Sequence, residues 1–297
     1  MEIGSGGDLS EANSRQPEVA SGASSKERRS ATVQGSTTDG EHSDLGLLLV
    51  AEANPEARVF PEKRCALCAE NLEYLDEDVI LNCYFCGEEH RARVWCPEGH
   101  FVCRTCQHMP LSSVLEEVIR VSGSRNPFDI AQFLMSHPTL EKHSCDHAWI
   151  FTAALLVAVK NEGSISLSDE EILAALESTK EQSNPKFVHS TGVCGMAAAV
   201  GVAFQTVFSA VRGSTEQNDG TTMRVVAQAI EHLADDTSRC RCCKRVVLIT
   251  LDLIVSLMRA RFNVNLEGAS DEYICRTFGS VGYCDPDSCQ FSGVLSR

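Results

Sequence analysis

Positive charge is scarce in this sequence, and long apolar runs are absent from it. The 297 residues include 26 Lys and Arg against 41 Asp and Glu, which gives a net charge of −15. This balance argues against general binding to nucleic acids or to anionic membranes. No apolar run reaches the ~18 residues of a transmembrane helix without a charge or a glycine, so we predict no membrane span.

Several familiar motifs are also missing. The first residues, MEIGSGGDLSEANSRQPE, show no basic segment followed by an apolar one, so we expect no secretory signal and a cytoplasmic location. The sequence has no phosphate-binding P-loop, no GxGxxG fingerprint and no clear Ser-His-Asp pattern. It therefore gives no support to nucleotide-binding or serine-hydrolase chemistry.

Cysteine, in contrast, is abundant, with 15 residues in the chain. In a reducing compartment, clustered cysteines serve as metal ligands or reactive thiols rather than as disulfides. An exported protein with a disulfide framework is the alternative. The odd number of cysteines and the repeated CxxC pairs argue against it.

The character of the chain changes twice and predicts three regions. Residues 1–58 are rich in Ser, Gly, Glu and Asp, and we predict a disordered acidic tail there. Residues 59–110 contain short strand-like pieces between cysteine pairs, and residues 111–297 read as helices followed by an irregular C-terminal segment. The predicted fold is mainly α: a small N-terminal zinc-binding α+β module built from knuckles, followed by an all-α helical domain.

About seven helices are predicted after residue 110, and several have recognisable starts. Ser112 or Ser113 precedes glutamates as a capped start, and Asn126 stands before a proline as another. Ser168 and Glu171 have the spacing of a capping box. The segment CDHAWIFTAALLVAVKN is apolar almost all round and should lie deep in the core.

Eight soft ligands in four pairs predict a zinc-binding module. Zinc takes four such ligands tetrahedrally, and a CxxC turn presents two thiolates to one ion, so eight ligands make two closed sites. A segment this polar has little core of its own, and the metal would supply its folding energy. The predicted ligands are Cys65, Cys68, Cys83, Cys86, Cys96, His100, Cys103 and Cys106.

The pairing of these ligands is open. Consecutive pairs would give a zinc ribbon, in which the first CxxC shares an ion with the second. Alternating pairs would give a cross-brace, in which the first pair shares an ion with the third and the second with the fourth.

Three of the predicted helices begin beside groups that suit catalysis. A helix N-terminus carries about half a positive charge and unpaired N–H groups, which stabilise thiolates and anionic substrates. If these N-termini converge, they form an anion-binding pocket lined by sulfur. The candidate catalytic residues are His143, His147, Cys194, Lys244 and Arg245, with Cys145, Cys242 and Cys243 beside them.

The spacing of His143 and His147 is open to two functional interpretations. The two histidines fit a metal-binding pair or a base with its orienting partner. The structural alternative is that the ring nitrogens of these histidines only form hydrogen bonds with the backbone.

The C-terminal segment adds Cys275, Cys284 and Cys289. Their irregular spacing suits an iron–sulfur cluster held by loops, with Cys242 and Cys243 as further cofactor-binding candidates. A third zinc ion, with one of the latter two as its fourth ligand, is the rival. Burial of these cysteines as small apolar residues is the simpler alternative.

The order of these motifs resembles that of a cysteine-rich family of unknown function, known mainly from archaea and anaerobic bacteria. The pattern CxxC…CxxCG…CxxGHxVCxxC is followed by HxxDH on an apolar helix, GxCGxxxAxGxA, RCCKR and C-x4-C-x-F. The resemblance runs from about residue 64 to residue 292 and implies a zinc-ribbon module joined to a helical domain. It implies no particular reaction.

Two shorter stretches resemble other families. CGMAAAVGVAF is similar to the small-residue helix of iron–sulfur L-serine dehydratases, whose active sites gather a histidine near a helix start and three cluster cysteines. CPEGHFVCRTC resembles the C-x3-H-x2-C-x2-C half of seven-in-absentia-type RING fingers, which implies a ubiquitin-related role. The CxxC pair that precedes this half departs from the usual RING order.

These observations predict a metal-dependent protein with two zinc ions and a candidate iron–sulfur cluster. We expect an enzyme whose helical domain carries an iron–sulfur or zinc–thiolate site and acts on a small anionic substrate or in sulfur handling. A zinc-finger adaptor that binds a protein partner through the module is the alternative, and a metal-storage or metal-delivery protein is the third hypothesis. We expect neither nucleic acid nor a membrane as a partner.

Overall fold

A computed structural model describes residues 65, 67–68, 70–141, 143–212, 220–236, 242–268, 273–275, 284 and 289–292. By their internal contacts, residues 58–297 form one unit, to which the cysteine-rich module and the helices both belong. The predicted acidic tail lies outside the described residues.

A β-hairpin and a short helix form the N-terminal module. Strand β1 (Glu73–Asn82) pairs antiparallel with β2 (Glu89–Trp95), and helix α1 (Arg104–His108) follows. The pairing register shifts between Tyr74 and Val79, which marks a bulge in β1. The second cysteine pair thus stands at the turn of the hairpin, and the third pair begins directly after β2.

Eight helices follow within the described part of the chain, one more than predicted. They are α2 (Leu111–Val121), α3 (Pro127–Met135), α4 (Asp146–Glu162), α5 (Asp169–Gln182), α6 (Pro185–Thr191), α7 (Gly195–Arg212), α8 (Thr221–Ala234) and α9 (Cys243–Phe262). The additional helix is the short α6, which Asn184 caps and a left-handed Gly192 ends. The prediction of a mainly α fold with a small cysteine-rich α+β module is confirmed.

Helix α4 lies at the centre of the core, as its apolar sequence predicted. Residues 150–159 of this helix are all buried, and α2, α3, α5, α7 and α9 pack around it. Two buried polar residues, Thr152 and Thr179, bond to each other through their hydroxyls at 3.0 Å. The core therefore satisfies these groups without water.

Helix α7 is long and apolar enough, by length and composition alone, to cross a membrane. One of its faces, which includes Val200, Phe204 and Val207, is buried in the protein core. Helices α4, α5, α8 and α9 all contact it. These are the contacts of a core helix.

Two of the predicted helix starts are confirmed and one is wrong. Asn126 caps α3, and Ser168 with Glu171 forms a complete capping box at α5. Helix α2, however, has Pro110 as its N-cap residue and no side-chain capping bond. The two predicted serines lie inside its first turn, because the helix already begins at Leu111.

Candidate metal centres

The first metal-ligand set joins the first and third pairs of the module. Cys65, Cys68, Cys96 and His100 place their ligand atoms within 4.8 Å of one another. The Cys68 sulfur lies 3.4 Å from that of Cys96, and the Cys96 sulfur lies 3.7 Å from His100 Nδ1. Soft donors at these spacings fit the tetrahedral coordination that zinc prefers.

The second set joins the second and fourth pairs. Cys83, Cys86, Cys103 and Cys106 again lie within 4.8 Å of one another, with 3.9 Å between the sulfurs of Cys86 and Cys103. The Cys103 N–H donates to the Cys83 sulfur at 3.3 Å, and the Cys106 N–H donates to the Cys103 sulfur at 3.4 Å. The structure therefore brings all eight predicted ligands together in two sets.

Of the two pairings that the sequence leaves open, the structure has the alternating one. The hairpin explains this result. Strand β1 carries the second pair away from the first by about 3.3 Å per residue. The antiparallel pairing of Glu73 with Trp95 then returns the chain, so that Cys96 lies beside the first pair. The fourth pair then lies beside the second pair, at the turn between β1 and β2.

Burial and hydrogen bonds shift the pKa values of two module thiols, Cys68 and Cys83, in opposite directions. Burial raises the pKa of Cys68 to about 12. Burial also opposes ionisation of Cys83, but the N–H groups of Cys103, Cys86 and Phe85 outweigh it and lower its pKa to about 7. A divalent cation would favour the thiolate form of every ligand, because an opposite charge at bonding distance stabilises the ionised sulfur.

A smaller group lies beside the second set. Cys86, Glu88 and His90 also place their ligand atoms within 4.8 Å of one another. Cys86 already belongs to the second set, and both it and Glu88 are exposed. We assign no separate ion to this group.

Aromatic side chains join the module to the helical domain. Tyr84 and Phe85, which stand between the two cysteines of the second pair, pack on Phe133 of α3 with ring centroids 5.6 and 5.0 Å away. Phe85 also contacts the buried His137 at 4.8 Å, and Tyr84 contacts the ligand His100 at 5.9 Å. The shape of a metal-ligand turn is thereby linked to the packing of a core helix.

In the helical domain, thiols and imidazoles gather where α4, α7 and α9 begin. The sulfur of Cys243, the first residue of α9, lies 3.8 Å from His143 Nδ1. The pKa of Cys243 is raised to about 11, chiefly by burial and also by the nearby thiols of Cys194, Cys242 and Cys145, against a backbone hydrogen bond from Ser144 that lowers it. We call this group the thiol–imidazole cluster; its members are His143, Cys145, His147, Cys194, Cys242 and Cys243.

His147 is the most buried histidine of this cluster, with 2% of its surface exposed. Its Nδ1 lies 3.2 Å from the backbone oxygen of Ser144, and its Nε2 has no hydrogen-bond partner among the described residues. The pKa of His147 is lowered to about 4, chiefly by burial and to a smaller extent by Lys244 and His143. The ring is therefore neutral at neutral pH, and its buried Nε2 carries a lone pair.

Two other thiols of the cluster stand directly before helices. Cys145 is the N-cap residue of α4, and its pKa is raised by burial and by the charges of Cys194 and Asp146. Cys194 is exposed and precedes Gly195, where a Cβ would lie 2.8 Å from Ser183 Cβ. Only glycine allows this close approach, which places the start of α7 against the end of α5.

Arg245, predicted as a catalytic residue, lies in a structural ion pair. Its guanidinium is buried and bonds both oxygens of Asp236, at 2.8 and 3.1 Å. Hydrogen bonding to Asp236 raises the arginine pKa, and Cys289 adds to this effect. The pair ties the first turn of α9 to the chain that follows α8.

Lys244 has a different environment from its neighbour. It lines a narrow cleft together with Leu67 and Tyr84 of the module and with Tyr273. Its positive charge also acts on His147. Lys244 therefore lies between the module and the thiol–imidazole cluster.

The three cysteines of the C-terminal segment do not form a metal-ligand set with one another within the described residues. Cys289 is buried in the apolar core, and the Cys275 N–H donates to the Phe291 oxygen at 2.9 Å. Neither of these cysteines nor Cys284 belongs to a group of three potential ligands within 4.8 Å, as far as the described residues go. This arrangement gives no support to an iron–sulfur cluster or a third zinc ion held by the tail cysteines.

Sequence reasoning missed two residues that shape these sites. His137 is buried against Phe85, and Asp236 holds Arg245. His137 follows the end of α3, and nothing in the sequence around it indicates a contact with Phe85. Two neighbouring aspartates, Asp235 and Asp236, follow α8, and their charge alone does not indicate which of them pairs with the arginine.

Together, the two ligand sets and the helical core define a cysteine-rich, mainly α protein that could hold metal ions. Residues 115–292, more than half of the chain, match a family of unknown function (DUF5714), and the chain belongs to this family. The match begins within α2, so it does not include the module, to which the motif resemblance had extended. No curated protein and no solved structure matches the chain, and the likenesses to L-serine dehydratases and RING fingers stay predictions.

Proposed function

We propose that this protein is a cytoplasmic, metal-dependent enzyme. In it, two zinc ions hold the module together, and the thiol–imidazole cluster acts on a small anionic substrate or in sulfur handling. The observation that carries the proposal is the meeting of the starts of α4 and α9 at the Cys243–His143 pair, whose sulfur and Nδ1 lie 3.8 Å apart, with Cys194 before α7 near enough to affect Cys243.

The cluster has the groups that nucleophilic chemistry requires. Cys243 is the candidate nucleophile. Its raised pKa keeps the thiol protonated at rest, and His143 Nδ1, 3.8 Å away, is within reach to accept the proton as the sulfur attacks. The N–H groups at the helix starts favour an anionic substrate. Lys244 adds a positive charge on the side of the module.

The zinc assignment in the module follows from the donors. One set has three sulfurs and one imidazole, the other has four sulfurs, and all the ligand atoms of a set lie within 4.8 Å of one another. Thiolate and imidazole are the ligands of structural zinc sites. All the described cysteines are free thiols, which agrees with a reducing compartment.

Turnover by the full-length protein tests the enzyme proposal. Anaerobically purified protein is assayed with a panel of small carboxylates, thiols and sulfide, alongside Cys243→Ser, His143→Gln and the matched imidazole control His232→Gln, which changes an exposed histidine of α8. We expect at least a ~100-fold loss in the first two variants, since each removes a reacting group, and normal activity in the control. Equal activity in all three variants would reject the role of the cluster.

Metal analysis of the same preparation tests the finer assignment. Zinc at two ions per chain supports the module sites. Iron with sulfide and visible absorption, lost in Cys284→Ser, would instead support the predicted iron–sulfur cluster, for which Cys242, Cys243, Cys275, Cys284 and Cys289 are the candidate ligands.

A protein-interaction adaptor is the second candidate, favoured by two exposed apolar side chains on β1. Tyr74 is 59% exposed and Ile80 is 64% exposed. An adaptor would lose partner binding in Ile80→Asp and keep it in Cys243→Ser. The opposite result would favour the enzyme.

A further inference from the structure

We propose that Cys86, Glu88 and His90 form an exchange position for the second metal ion of the module, which holds the ion briefly as it enters or leaves the four-sulfur set. This inference rests on the proposed metal assignment of the module, because it names the route to one of its sites. It adds no third resident ion, since Cys86 belongs both to this group and to the second set.

The first argument is the spacing of the ligand atoms. The Cys86 sulfur, a Glu88 carboxylate oxygen and a His90 ring nitrogen all lie within 4.8 Å of one another. His90 Nε2 lies 3.9 Å from a Glu88 oxygen, which is too far for a hydrogen bond. An oxygen and a nitrogen bound tetrahedrally to one zinc ion lie ~3.4 Å apart, so a small movement of these side chains brings both onto a cation.

The second argument is the environment of the His90 ring. Its Nε2 is buried and has no hydrogen-bond partner among the described residues. The ring lies beside that of Phe101, with centroids 5.9 Å apart, and Phe101 also packs against the buried cysteines of the second set. Phe101 therefore keeps the imidazole close to the four sulfurs. A cation would satisfy Nε2 in the tautomer that carries its proton on Nδ1.

The turn of the hairpin fixes the group next to the second set. The Cys83 N–H donates to the Glu88 oxygen at 2.9 Å, and the Gly87 N–H donates to the Cys83 oxygen at 2.8 Å. Gly87 has a φ of +71°, a conformation that glycine adopts without strain. Glu88 directly precedes β2 and His90 is the second residue of that strand, so both side chains point to the same side of the extended chain.

Exposure gives the exchange a direction. Cys86 is exposed, whereas Cys83, Cys103 and Cys106 are buried, so Cys86 is the ligand of this set that solvent reaches most easily. As the ion leaves, its bonds to the three buried sulfurs break, and bonds to the Glu88 oxygen and to His90 Nε2 form. The bond to the Cys86 sulfur is kept throughout. The three freed thiolates take three protons from water, no electron is transferred, and entry of an ion reverses each change.

Release of cobalt from the folded, full-length protein tests this proposal. Both sets are filled with Co²⁺, an excess of an anionic chelator is added, and the absorption of the four-sulfur site is followed separately from that of the three-sulfur, one-nitrogen site. We expect release from the four-sulfur site to be at least ~10-fold slower in Glu88→Gln and in His90→Gln, because loss of such a partner weakens metal binding by about 10–100-fold.

Two further variants separate a ligand role from charge and from packing. Glu89→Gln removes the neighbouring exposed carboxylate and should release cobalt at the wild-type rate. His90→Cys supplies another zinc ligand at the same position and should also release cobalt rapidly. Two bound ions per chain at the start confirm that the module of each variant is folded.

The outcomes separate this proposal from the assignment on which it rests. Slow release confined to Glu88→Gln and His90→Gln supports the exchange position. Unchanged release in both variants overturns it, and so does faster release, which would show that the two residues only stabilise the filled set. Equal slowing in Glu89→Gln would also overturn it, in favour of a general effect of charge. A wild type that shows no four-sulfur cobalt spectrum would overturn the proposed module site together with its exchange position.

Discussion

The module and the thiol–imidazole cluster both contain a cysteine–histidine pair at nearly the same distance, yet they are built differently. In the module the ligands come from short turns, all atoms of a set lie within 4.8 Å, and backbone N–H groups support the sulfurs. In the cluster the thiols and imidazoles come from the segments where α4, α7 and α9 begin.

This difference indicates a division of labour. A ligand set made of local turns is closed and has no position for a substrate. The thiol–imidazole cluster depends on the packing of long helices and lies beside the charge of Lys244. We therefore expect the two regions to respond differently to perturbation.

Loss of module metal should have the largest effect. In Cys96→Ser the first set loses a ligand, and zinc binding of about 10–16 kcal/mol per structural site is the folding energy of such a module. We expect rapid proteolysis between residues 65 and 108, while the helical circular dichroism remains. Cys284→Ser is the control and should stay resistant. If the module resisted proteolysis in metal-free protein, the idea that the module needs metal to fold and the helical domain does not would be wrong.

The ion pair at the start of α9 should have the next largest effect. Asp236→Ala leaves the buried Arg245 without its partner, and breaking a buried pair costs about 3–5 kcal/mol. Urea unfolding of the helical domain measures the loss, and module metal content should not change. Replacing both partners, as Asp236→Leu with Arg245→Met, should restore much of the stability, because no buried charge is left. A loss below ~1 kcal/mol in the single variant would contradict the pairing.

A pH effect of His147 should be smaller. Its folded pKa of about 4 lies below the unfolded value of 6.5, so between these values the unfolded chain binds the proton more readily. Stability is therefore complete above pH 6.5 and falls as the pH decreases to about 4, by at most ~3 kcal/mol.

The charges of Lys244 and His143 contribute to this low pKa, after burial. The free energy of unfolding is measured across this range in protein kept metal-free with chelator. The difference between the wild type and His147→Gln isolates the histidine, because the module contributes equally to both. A difference that does not change with pH would show that His147 is not buried in neutral form.

The local features of this protein were readable from its sequence. The spacing of the CxxC turns predicts the ligands, the apolar circumference of α4 predicts its central position, and the Ser168–Glu171 spacing predicts a capping box. Each of these features depends on residues a few positions apart, and the local geometry of the chain largely fixes the relative positions of such residues.

The remaining features depend on long-range topology. Which cysteine pairs share an ion follows from the length of β1 and the return of β2, and no spacing rule contains that information. The basic residues Lys244 and Arg245 look equivalent in sequence, but neighbouring residues of a helix point about 100° apart, which sends the first to a cleft and the second to Asp236. Burial of Cys289 in the core likewise depends on where the C-terminal segment packs.

The alternating ligand order in the module has a consequence for its occupancy in the cell. The ligands of one ion are interleaved along the chain with those of the other, and only two residues separate His100 from Cys103. Capture of the first ion therefore shortens the search of the remaining thiols for the second. When zinc is limiting, we expect molecules that are either full or empty, with few at half occupancy, so that supply sets the number of intact copies.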